Sequence, residues 1–323
     1  MILIHSLNKK TETNPTMKNY FDFTLTGRKL FPYWILFFIV FYVPYLFIAF
    51  KLKSFSGAPS ASALYVALIY LLLALGFLVV YFFIKLTIEG IAYRGKNMTF
   101  QGSFGRFAGV YFLGLFLTII TLGIYYAWFV RDMTKFFADN SSYESEKLNF
   151  RGKGSDLFVI MLLSLVIPMI VLMVVLGIVI FRMPVLITSL TLMLYIIILI
   201  LSIPFLYLFY KWMVNVGYKG YQISWETKFW PSTGKIALEV FLILITLGLY
   251  GPLAMFRLYK YFALRTTAVS GETVRRFDYD ADNFNDFLFA WGQILLSVVT
   301  LMIYYPWACC KIGKRVLGKT SIE

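Results

Sequence analysis

Long runs of apolar residues, separated by short polar connections, dominate the pattern of this chain. Six runs contain no Asp, Glu, Lys or Arg, and they cover residues 31–50, 61–84, 107–130, 157–181, 183–210 and 287–310. A seventh run, 236–256, is interrupted only by Glu239. Because about 20 apolar helical residues cross a bilayer core about 30 Å thick, each run is long enough to span a membrane. The pattern predicts an all-α polytopic membrane protein with seven apolar helical segments.

A short alternation of apolar and polar residues precedes five of these runs. The alternating stretches begin at Phe21, Met98, Leu148, Tyr221 and Phe277. A period of two is typical of a half-buried strand, so we expect five short strand-like segments just outside the membrane. The runs that begin at 61 and 183 lack this signature. Each follows its predecessor through a short connection, which predicts two simple helical hairpins.

One phrase occurs three times, as TLGIYYAW at 121–128, TLGLYGPL at 246–253 and TLMIYYPW at 300–307. Each copy lies in the C-terminal half of an apolar run and is followed by a basic residue, which is Arg131, Arg257 or Lys311. Self-similarity of this kind indicates one structural unit used three times. The chain then divides into a polar tail (1–20), two helical hairpin units (21–97 and 148–220) and three TLGxY repeat units (98–147, 221–271 and 272–323, the last with a basic tail).

The positions of Lys and Arg distinguish two topologies, because short basic loops are retained on the cytoplasmic side. If all seven segments cross the membrane, the two sides carry equal numbers of basic residues. If the three repeat segments instead enter and leave on one face, all but Lys51, Lys53 and Arg182 lie inside. Gly123, Gly248 and Pro306 could break such re-entrant helices. We favour four full spans and three re-entrant segments, with a cytoplasmic N-terminus; seven straight spans are the alternative.

Composition supports a membrane location and argues against nucleic acid as a partner. The chain is 60% hydrophobic and only 14% charged, and its net charge is +14. The basic residues lie in the connections between apolar runs rather than on one soluble face. Membrane lipids are therefore the expected partners, with anionic headgroups on the basic face. The first thirty residues are polar and lack an apolar run with a cleavage site, so we expect no removable signal peptide and expect the first membrane segment to direct insertion.

The alternating aromatic stretches, the TLGxY phrase and the basic aromatic stretch after it together resemble the YjgN-like family of bacterial inner-membrane proteins, whose biochemical function is unassigned. The resemblance is best over 99–152 and 221–323. Ala127, Leu253 and Met302 depart from that family's Pro, Trp and Gly in the three copies. The resemblance implies a multi-pass protein of the bacterial inner membrane, and it brings no catalytic residues.

Neither a metal nor a cofactor is expected. The chain has a single histidine, His5, and its two cysteines, Cys309 and Cys310, are adjacent. This inventory cannot supply a zinc, haem or iron-sulfur site, and it cannot build a Ser-His-Asp triad. No Walker loop or dinucleotide fingerprint occurs. We therefore expect that the protein is not an enzyme.

Two polar residues lie within apolar runs and are candidates for function, since burying such groups in a membrane is costly. Glu239 follows Lys235 by four residues, so the two share a helix face and can pair. An ion pair at a helix start is the bland interpretation of Glu239, and a substrate or proton site is the alternative. Gln293 lies deeper and needs a hydrogen-bond partner inside the membrane.

Two interpretations compete for the repeated motif. In the structural one, Thr bonds back to the helix, Gly permits close packing or a break, and Trp128 and Trp307 anchor at the interface with the basic residues that follow. In the functional one, free carbonyls at the three breaks line a polar path for a substrate. The candidate residues of that cavity are Thr121, Gly123, Tyr125, Thr246, Gly248, Tyr250, Thr300, Tyr304 and Pro306.

The sequence therefore supports two functional hypotheses of different classes. The first is a transporter or channel-like protein with a cavity at the TLGxY breaks. The second is a structural or adaptor protein that docks a cytoplasmic partner or organises anionic lipid, for which the strand-like segments matter more. A lipid-modifying enzyme fits least, because the membrane segments offer few acids, bases or nucleophiles. A continuous polar cavity would distinguish transport from scaffolding.

Overall fold

A computed structural model describes residues 18–54, 59–182 and 187–323. The described chain is mostly helical, and two π-helical turns, Phe38–Tyr42 and Leu162–Val166, continue the helices on either side of them. The helices are α1 (Gly27–Phe37), α2 (Val43–Ser54), α3 (Pro59–Gly90), α4 (Phe104–Ile120), α5 (Tyr126–Asp139), α6 (Gly154–Met161), α7 (Ile167–Arg182), α8 (Ile187–Met213), α9 (Phe229–Ile245), α10 (Gly251–Ala263), α11 (Asn283–Val299) and α12 (Tyr305–Leu317).

Short strands separate groups of helices along the chain. They are β1 (Phe21–Phe23), β2 (Ile91–Tyr93), β3 (Lys96–Asn97), β4 (Thr99–Phe100), β5 (Ser141–Tyr143), β6 (Glu146–Lys147), β7 (Asn149–Phe150), β8 (Val216–Tyr218), β9 (Tyr221–Trp225), β10 (Thr266–Ser270), β11 (Thr273–Tyr279) and β12 (Thr320–Ile322). They form three antiparallel sheets with the orders β1-β2-β3, β4-β5-β6 and β12-β11-β10-β9-β8-β7. The all-α expectation is thus incomplete, since every predicted strand-like segment pairs with a second strand.

Five helical hairpins make up the helical part, and a pair of antiparallel strands joins the two ends of each. The strand pairs are β1–β2, β4–β5, β7–β8, β9–β10 and β11–β12. In the third repeat unit, for example, Tyr279 precedes the two helices, Thr320 follows them, and the two residues pair. Since paired strands lie about 5 Å apart, each hairpin begins and ends at the same place.

Two hairpins are tall and three are short. In the tall hairpins, α1 and α2 pack against α3, and α6 and α7 pack against α8. They contain the four helical stretches that are long and apolar enough to cross a membrane, which are Gly27–Lys51, Ala63–Gly90, Gly154–Val179 and Leu194–Met213. This agrees with the prediction of four full spans.

The short hairpins are α4–α5, α9–α10 and α11–α12, and each contains one copy of the repeated motif between its helices. Their first helices have 17 residues each, which corresponds to about 25 Å at about 1.5 Å per residue. Phe107 near the start of α4 packs against Phe136 near the end of α5, so the two helices run antiparallel. The repeat segments therefore fold back on themselves.

The five hairpins close into a ring, because the last helix packs against the first. Contacts join α3 to α4, α5 to α6, α8 to α9, α10 to α11 and α12 to α1. At the closure, the rings of Trp307 and Phe31 pack at a tilt with their centroids 5.1 Å apart, and the ring centroids of Trp34 and Tyr305 are 4.6 Å apart. A side chain at Gly27 would overlap Trp307, so glycine is required for this close approach. Aromatic packing over a long sequence separation thus completes the ring.

The three sheets are also joined to one another in a closed circle. A bridge between Tyr20 and Ser321 joins the first sheet to the end of the six-stranded sheet. The hydroxyl of Tyr143 donates to the backbone oxygen of Tyr93 at 2.8 Å, and the hydroxyl of Tyr218 donates to that of Tyr143 at 3.1 Å. We call this assembly of β1 to β12 the strand ring.

Candidate functional site

The strand ring surrounds a cavity of about 400 Å³ to which all five hairpins contribute. This volume lies within the range of about 300–1,000 Å³ found for small-molecule sites. Its aliphatic wall consists of Ile91, Met98, Leu148, Ile223, Ala268 and Ile322. Along each strand, the residues next to them point to the opposite face of the sheet, as strand geometry requires. The wall of this cavity is therefore largely apolar.

Five aromatic side chains follow one another around the cavity, and we call them the aromatic collar. They are Phe277, Phe21, Tyr93, Tyr143 and Tyr218, and consecutive ring centroids lie 6.1, 4.8, 6.1 and 6.1 Å apart. Separations of 4.5–7 Å are typical of favourable aromatic pairs. The collar links strands that come from different hairpins, and it leaves aromatic faces and edges available to the cavity.

Two arginines at the cavity lack a carboxylate partner among the residues that the structure describes. The Arg94 guanidinium lies 5.3 Å from the Tyr93 ring centroid, and the Arg275 guanidinium lies 5.2 Å from that of Tyr221. Neither makes a described ion pair, and both line the cavity. The cavity therefore combines apolar walls with uncompensated positive charge.

The third cationic side chain of the cavity, Lys219, has a carboxylate partner. Lys219 and Lys96 both donate to the carboxylate of Glu144 at 3.1 Å. These hydrogen bonds, led by the one from Lys96, lower the pKa of Glu144 below its ordinary value, and the bond to Glu144 raises the pKa of Lys219. The cluster ties the β5–β6 turn to the neighbouring turns on each side.

The turns of the strand ring are tight, and sequence reasoning missed them together with the strands that precede them. Arg94–Gly95, Glu144–Ser145 and Lys219–Gly220 all have positive φ at both central positions, as two-residue hairpin turns require. The Arg-Gly and Lys-Gly dipeptides beside tyrosines were the available signal. Glu144–Ser145 gave no such signal, since neither residue is glycine.

The TLGxY copies form the tips of the three short hairpins and have the same local geometry. The threonine hydroxyl donates back to the helix, from Thr121 to the oxygen of Leu117 at 2.8 Å, and accepts the backbone N–H of Tyr125 at 2.9 Å. Thr246 and Thr300 make the same two bonds at 2.7 and 3.1 Å. These bonds are the ones that the structural interpretation of the motif expects.

The residues after the threonine end the helix in a left-handed conformation. Gly123 and Gly248 have φ of 91° and 89°, and Met302 takes the same role with φ of 67°. Their N–H groups donate to carbonyls five residues earlier, which is the Schellman arrangement. The helix break therefore uses its own backbone groups.

The three tips are not brought together by hydrogen bonds among the described residues. Two of them are instead joined to the next hairpin, since Trp291 of α11 donates to the oxygen of Leu249 and Trp34 of α1 donates to the oxygen of Met302, both at 2.9 Å. These carbonyls were expected to be free in the transport interpretation. They serve as attachment points between neighbouring hairpins.

The motif also sets the register of a polar layer inside each short hairpin. Three positions in each copy form this layer. The position seven residues before the threonine holds Gly114, Glu239 or Gln293, and the position four residues after it holds a tyrosine, which is Tyr125, Tyr250 or Tyr304. The position eleven residues after it holds Asp132, Arg257 or Lys311. In the third copy, Tyr304 donates to Gln293 at 3.0 Å and accepts from Lys311 at 2.8 Å. Gln293 thus has the partner that it needs.

The second copy contains a buried ion-pair network. Glu239 is completely buried, and one of its oxygens lies 2.5 Å from Lys235 Nζ and 3.4 Å from Arg257 Nε. Arg257 also donates to the Tyr250 hydroxyl at 2.5 Å. The predicted pairing with Lys235 is present, and a second cation that sequence spacing did not reveal joins it. The other oxygen of Glu239 has no hydrogen-bond partner in the described part of the chain.

In the first copy the Phe129 ring takes the place of the Glu or Gln side chain, whereas Tyr125 and Asp132 still form a hydrogen bond at 3.3 Å. Gly114 stands where the other copies have Glu or Gln, and a Cβ at this position would lie 2.1 Å from the Phe129 ring. The residues equivalent to Phe129 are Ala254 and Ala308, so large and small side chains are exchanged between the two helices. Gly114, Tyr125 and Asp132 line a groove of about 230 Å³.

The predicted anchors lie between hairpins. Trp128 packs 5.4 Å from Phe158 and Trp307 packs against α1, so both tryptophans contact the helix that follows in the ring. Arg131 pairs with its neighbour Asp132 at 2.8 Å. Pro306 lies in the first turn of α12, where proline suits a helix start.

Among the residues that the structure describes, no group of three or more His, Cys, Asp or Glu side chains could hold a metal ion. A further charged cluster surrounds Asp286, which is completely buried. Arg315 and Lys319 each lie 2.6 Å from its carboxylate. Because these residues are about thirty positions apart, spacing alone could not indicate the cluster.

Four membrane-length helices, closed into a ring with three shorter hairpins and a strand assembly at one end, define a polytopic helical membrane protein. The chain belongs to the family of bacterial proteins of unknown function DUF898, whose model matches residues 16–283. Neither the curated proteins nor the solved structures contain a match to this chain.

Proposed function

We propose that this protein is an adaptor of the bacterial inner membrane that exposes its strand ring to the cytoplasm and binds anionic membrane lipid or a partner there. The observation that carries the proposal is the convergence of all five hairpins on one cavity, which the strand ring surrounds. A resemblance to YjgN-like proteins agrees with the location. On this view the protein is not an enzyme, needs no cofactor and does not bind nucleic acid.

Charge supports the orientation. The strand pairs hold both ends of every hairpin at one end of the molecule. Among the described residues, Lys51, Lys53 and Arg182 are the basic residues near the far ends of the tall hairpins, and the other described Lys and Arg residues lie in the short hairpins or toward the strands. Because short basic loops stay in the cytoplasm, the strand ring and the N-terminus are cytoplasmic.

The tips of the short hairpins support a re-entrant arrangement. Leu122, Leu247 and Leu301 are 94, 93 and 78% exposed, and all three have φ near 50°. A left-handed conformation costs an ordinary residue about 1–2 kcal/mol, and a helix end in water normally uses Gly or Asn there. A leucine that protrudes at this position gains from hydrocarbon around it. At about 25 Å, the helices end within a core of about 30 Å.

Transport is the second candidate, and one specific observation favours it. The helices form a closed ring in which the principal contacts join chain neighbours, so a path along the ring axis would begin at the cavity. Against it, two tip carbonyls are occupied by tryptophans, and the motif threonines bond within their own turns. The residues expected to line a transport path therefore have structural partners.

Cysteine labelling in sealed cells tests the orientation. On a background without Cys309 and Cys310, single cysteines replace Ser145, which is exposed in the strand ring, and Leu122 and Leu247 at the tips. We expect no labelling by an impermeant maleimide from outside at any of these positions, and labelling of Ser145→Cys alone in inverted vesicles. Ser56, which follows α2 in the sequence and lies outside the described residues, is the control that should label from outside.

Labelling of Leu122→Cys or Leu247→Cys from outside would show that the repeat segments reach the far surface. Labelling of Ser145→Cys from outside would contradict the cytoplasmic assignment of the strand ring. A flux assay in proteoliposomes with Gly123→Leu and Gly248→Leu then separates the two functions. Loss of flux in a folded, abundant protein would favour transport over the adaptor.

A further inference from the structure

We infer that the cavity of the strand ring binds an amphipathic anion, with its apolar tail among the aliphatic and aromatic walls and its head at Arg94 and Arg275. This inference rests on the proposed function, because it names the ligand class of the same surface. The shared chemistry is one negatively charged head on a hydrocarbon tail. It can come from a membrane lipid or from a free carboxylate or phosphate amphiphile.

The walls of the cavity favour a tail. Ile91, Met98, Ile223 and Ile322 supply aliphatic surface from four different strands or turns, and the collar adds aromatic surface. Water inside this cavity of about 400 Å³ finds few hydrogen-bond partners along the apolar walls, so a hydrocarbon tail can displace it at little cost. Burial of each methylene should tighten binding about fourfold until the cavity is filled.

The charges favour an anionic head. Arg94 and Arg275 stack on tyrosine rings of the wall, which holds their guanidinium groups at the cavity rather than free in solution. Glu144 does not neutralise them, because its carboxylate is shared by two lysines. Guanidinium groups without an acidic partner suit carboxylate and phosphate, to which they can donate two parallel hydrogen bonds.

The strand register supplies a matched control for the head. Arg275 pairs with Ala268, which lines the cavity, whereas Arg276 pairs with Thr267, which does not. Neighbouring residues of a strand point to opposite faces. Both arginines are exposed and make no described ion pair, so their replacement removes the same charge from the same strand. Only position 275 changes the cavity.

The experiment uses the full chain in nanodiscs of phosphatidylcholine, with radiolabelled dodecanoate as the probe and empty nanodiscs subtracted. We expect Arg275→Gln to weaken binding about tenfold, as for loss of a hydrogen bond to a charged group, and Arg276→Gln to leave it unchanged. Arg94→Gln should act like Arg275→Gln. Dodecanol, which has the same tail but no charge for either arginine, should bind more weakly than dodecanoate binds the Arg275→Gln variant.

A series from hexanoate to hexadecanoate measures the tail. Affinity should rise about fourfold per methylene and then level off, whereas partitioning into the bilayer rises without a plateau. Met98→Trp, which fills part of the cavity, should move the plateau to shorter chains. Phosphatidylglycerol in the nanodisc identifies the source: if the bilayer lipid occupies the cavity, dodecanoate binding falls, and if only free amphiphiles enter, it does not change.

Equal losses in the Arg275→Gln and Arg276→Gln variants would overturn the inference, because they would show attraction to a basic surface instead of a site. Affinity that follows partitioning without a plateau, or dodecanol that binds as tightly as dodecanoate, would overturn it as well. Cysteine labelling reports the orientation independently of binding. If dodecanoate binding fails these tests while Ser145→Cys labels from the cytoplasmic side, the inferred ligand class is refuted and the proposed orientation still holds.

Discussion

The buried carboxylate of Glu239 allows a test of whether the polar layer of the short hairpins stabilises the fold or serves transport. Glu239→Ala removes the partner of Lys235 and of Arg257 and leaves two cations without an anion. Breaking a buried ion pair costs about 3–5 kcal/mol. The side chains of Lys235 and Arg257 are 21 and 39% exposed and can still reach polar surroundings. We therefore expect a loss near the lower end, about 3 kcal/mol.

The short hairpin α11–α12 supplies the matched comparison, since its Gln293 occupies the position equivalent to Glu239. Glu239→Gln keeps the shape and an acceptor oxygen, so it should cost about 1 kcal/mol, as should Gln293→Ala, which leaves the Tyr304 hydroxyl without its acceptor. The measurement is the free energy of unfolding from SDS titration of the protein in mixed micelles, followed by circular dichroism. If the free energy of unfolding of the Glu239→Ala variant is within about 0.5 kcal/mol of that of the original chain, the stabilising role is refuted. Loss of flux in that stable variant would assign the carboxylate to transport.

Three further predictions concern packing, the helix tips and pH. Gly114→Ala should destabilise the protein by about 1–3 kcal/mol, because its Cβ would meet Phe129. Gly109→Ala has open space around its Cβ and should stabilise α4 by about 0.5–1 kcal/mol. SDS titration compares the free energies of unfolding of the two variants. Thr121→Val should cost about 1 kcal/mol in the same assay, since it leaves a tip N–H without its acceptor. The lowered pKa of Glu144 implies stability that is present above its ordinary pKa of 4.5 and is lost as pH falls through the lowered value. Thermal unfolding between pH 7 and pH 3 should show this loss, and Glu144→Gln should reduce it; an unchanged pH dependence in that variant would refute the assignment.

Local pattern was sufficient to locate the membrane spans and one strand of each pair. A span depends on the length of an apolar run, and a half-buried strand depends on alternation over a few residues, so both are written in contiguous sequence. The four membrane-length helices coincide with the first two and the fourth and fifth apolar runs. The partner strands, such as Ser141–Tyr143 and Thr266–Ser270, were missed because their sequences do not alternate between apolar and polar residues.

The candidate sites were harder to predict, because their members come from distant positions. The spacing of four residues indicated the contact of Glu239 with Lys235, but the second contact, with Arg257, requires the helix to turn back at Thr246. The exchange between Gly114 and Phe129 likewise exists only across two helices. No local pattern distinguishes Arg275, at the cavity, from Arg276, because the face of a strand is known only once its partners are known.

By itself the sequence determined a membrane protein with repeated units, since hydrophobicity, repetition and the distribution of basic residues are properties of the linear chain. Tertiary structure alone decided that five hairpins close into a ring and that their strands enclose a cavity. Closure depends on contacts such as Tyr20 with Ser321 and Phe31 with Trp307, which join opposite ends of the chain. Such contacts arise from shape and packing between surfaces that assemble only in the fold, so no segment of the sequence contains them.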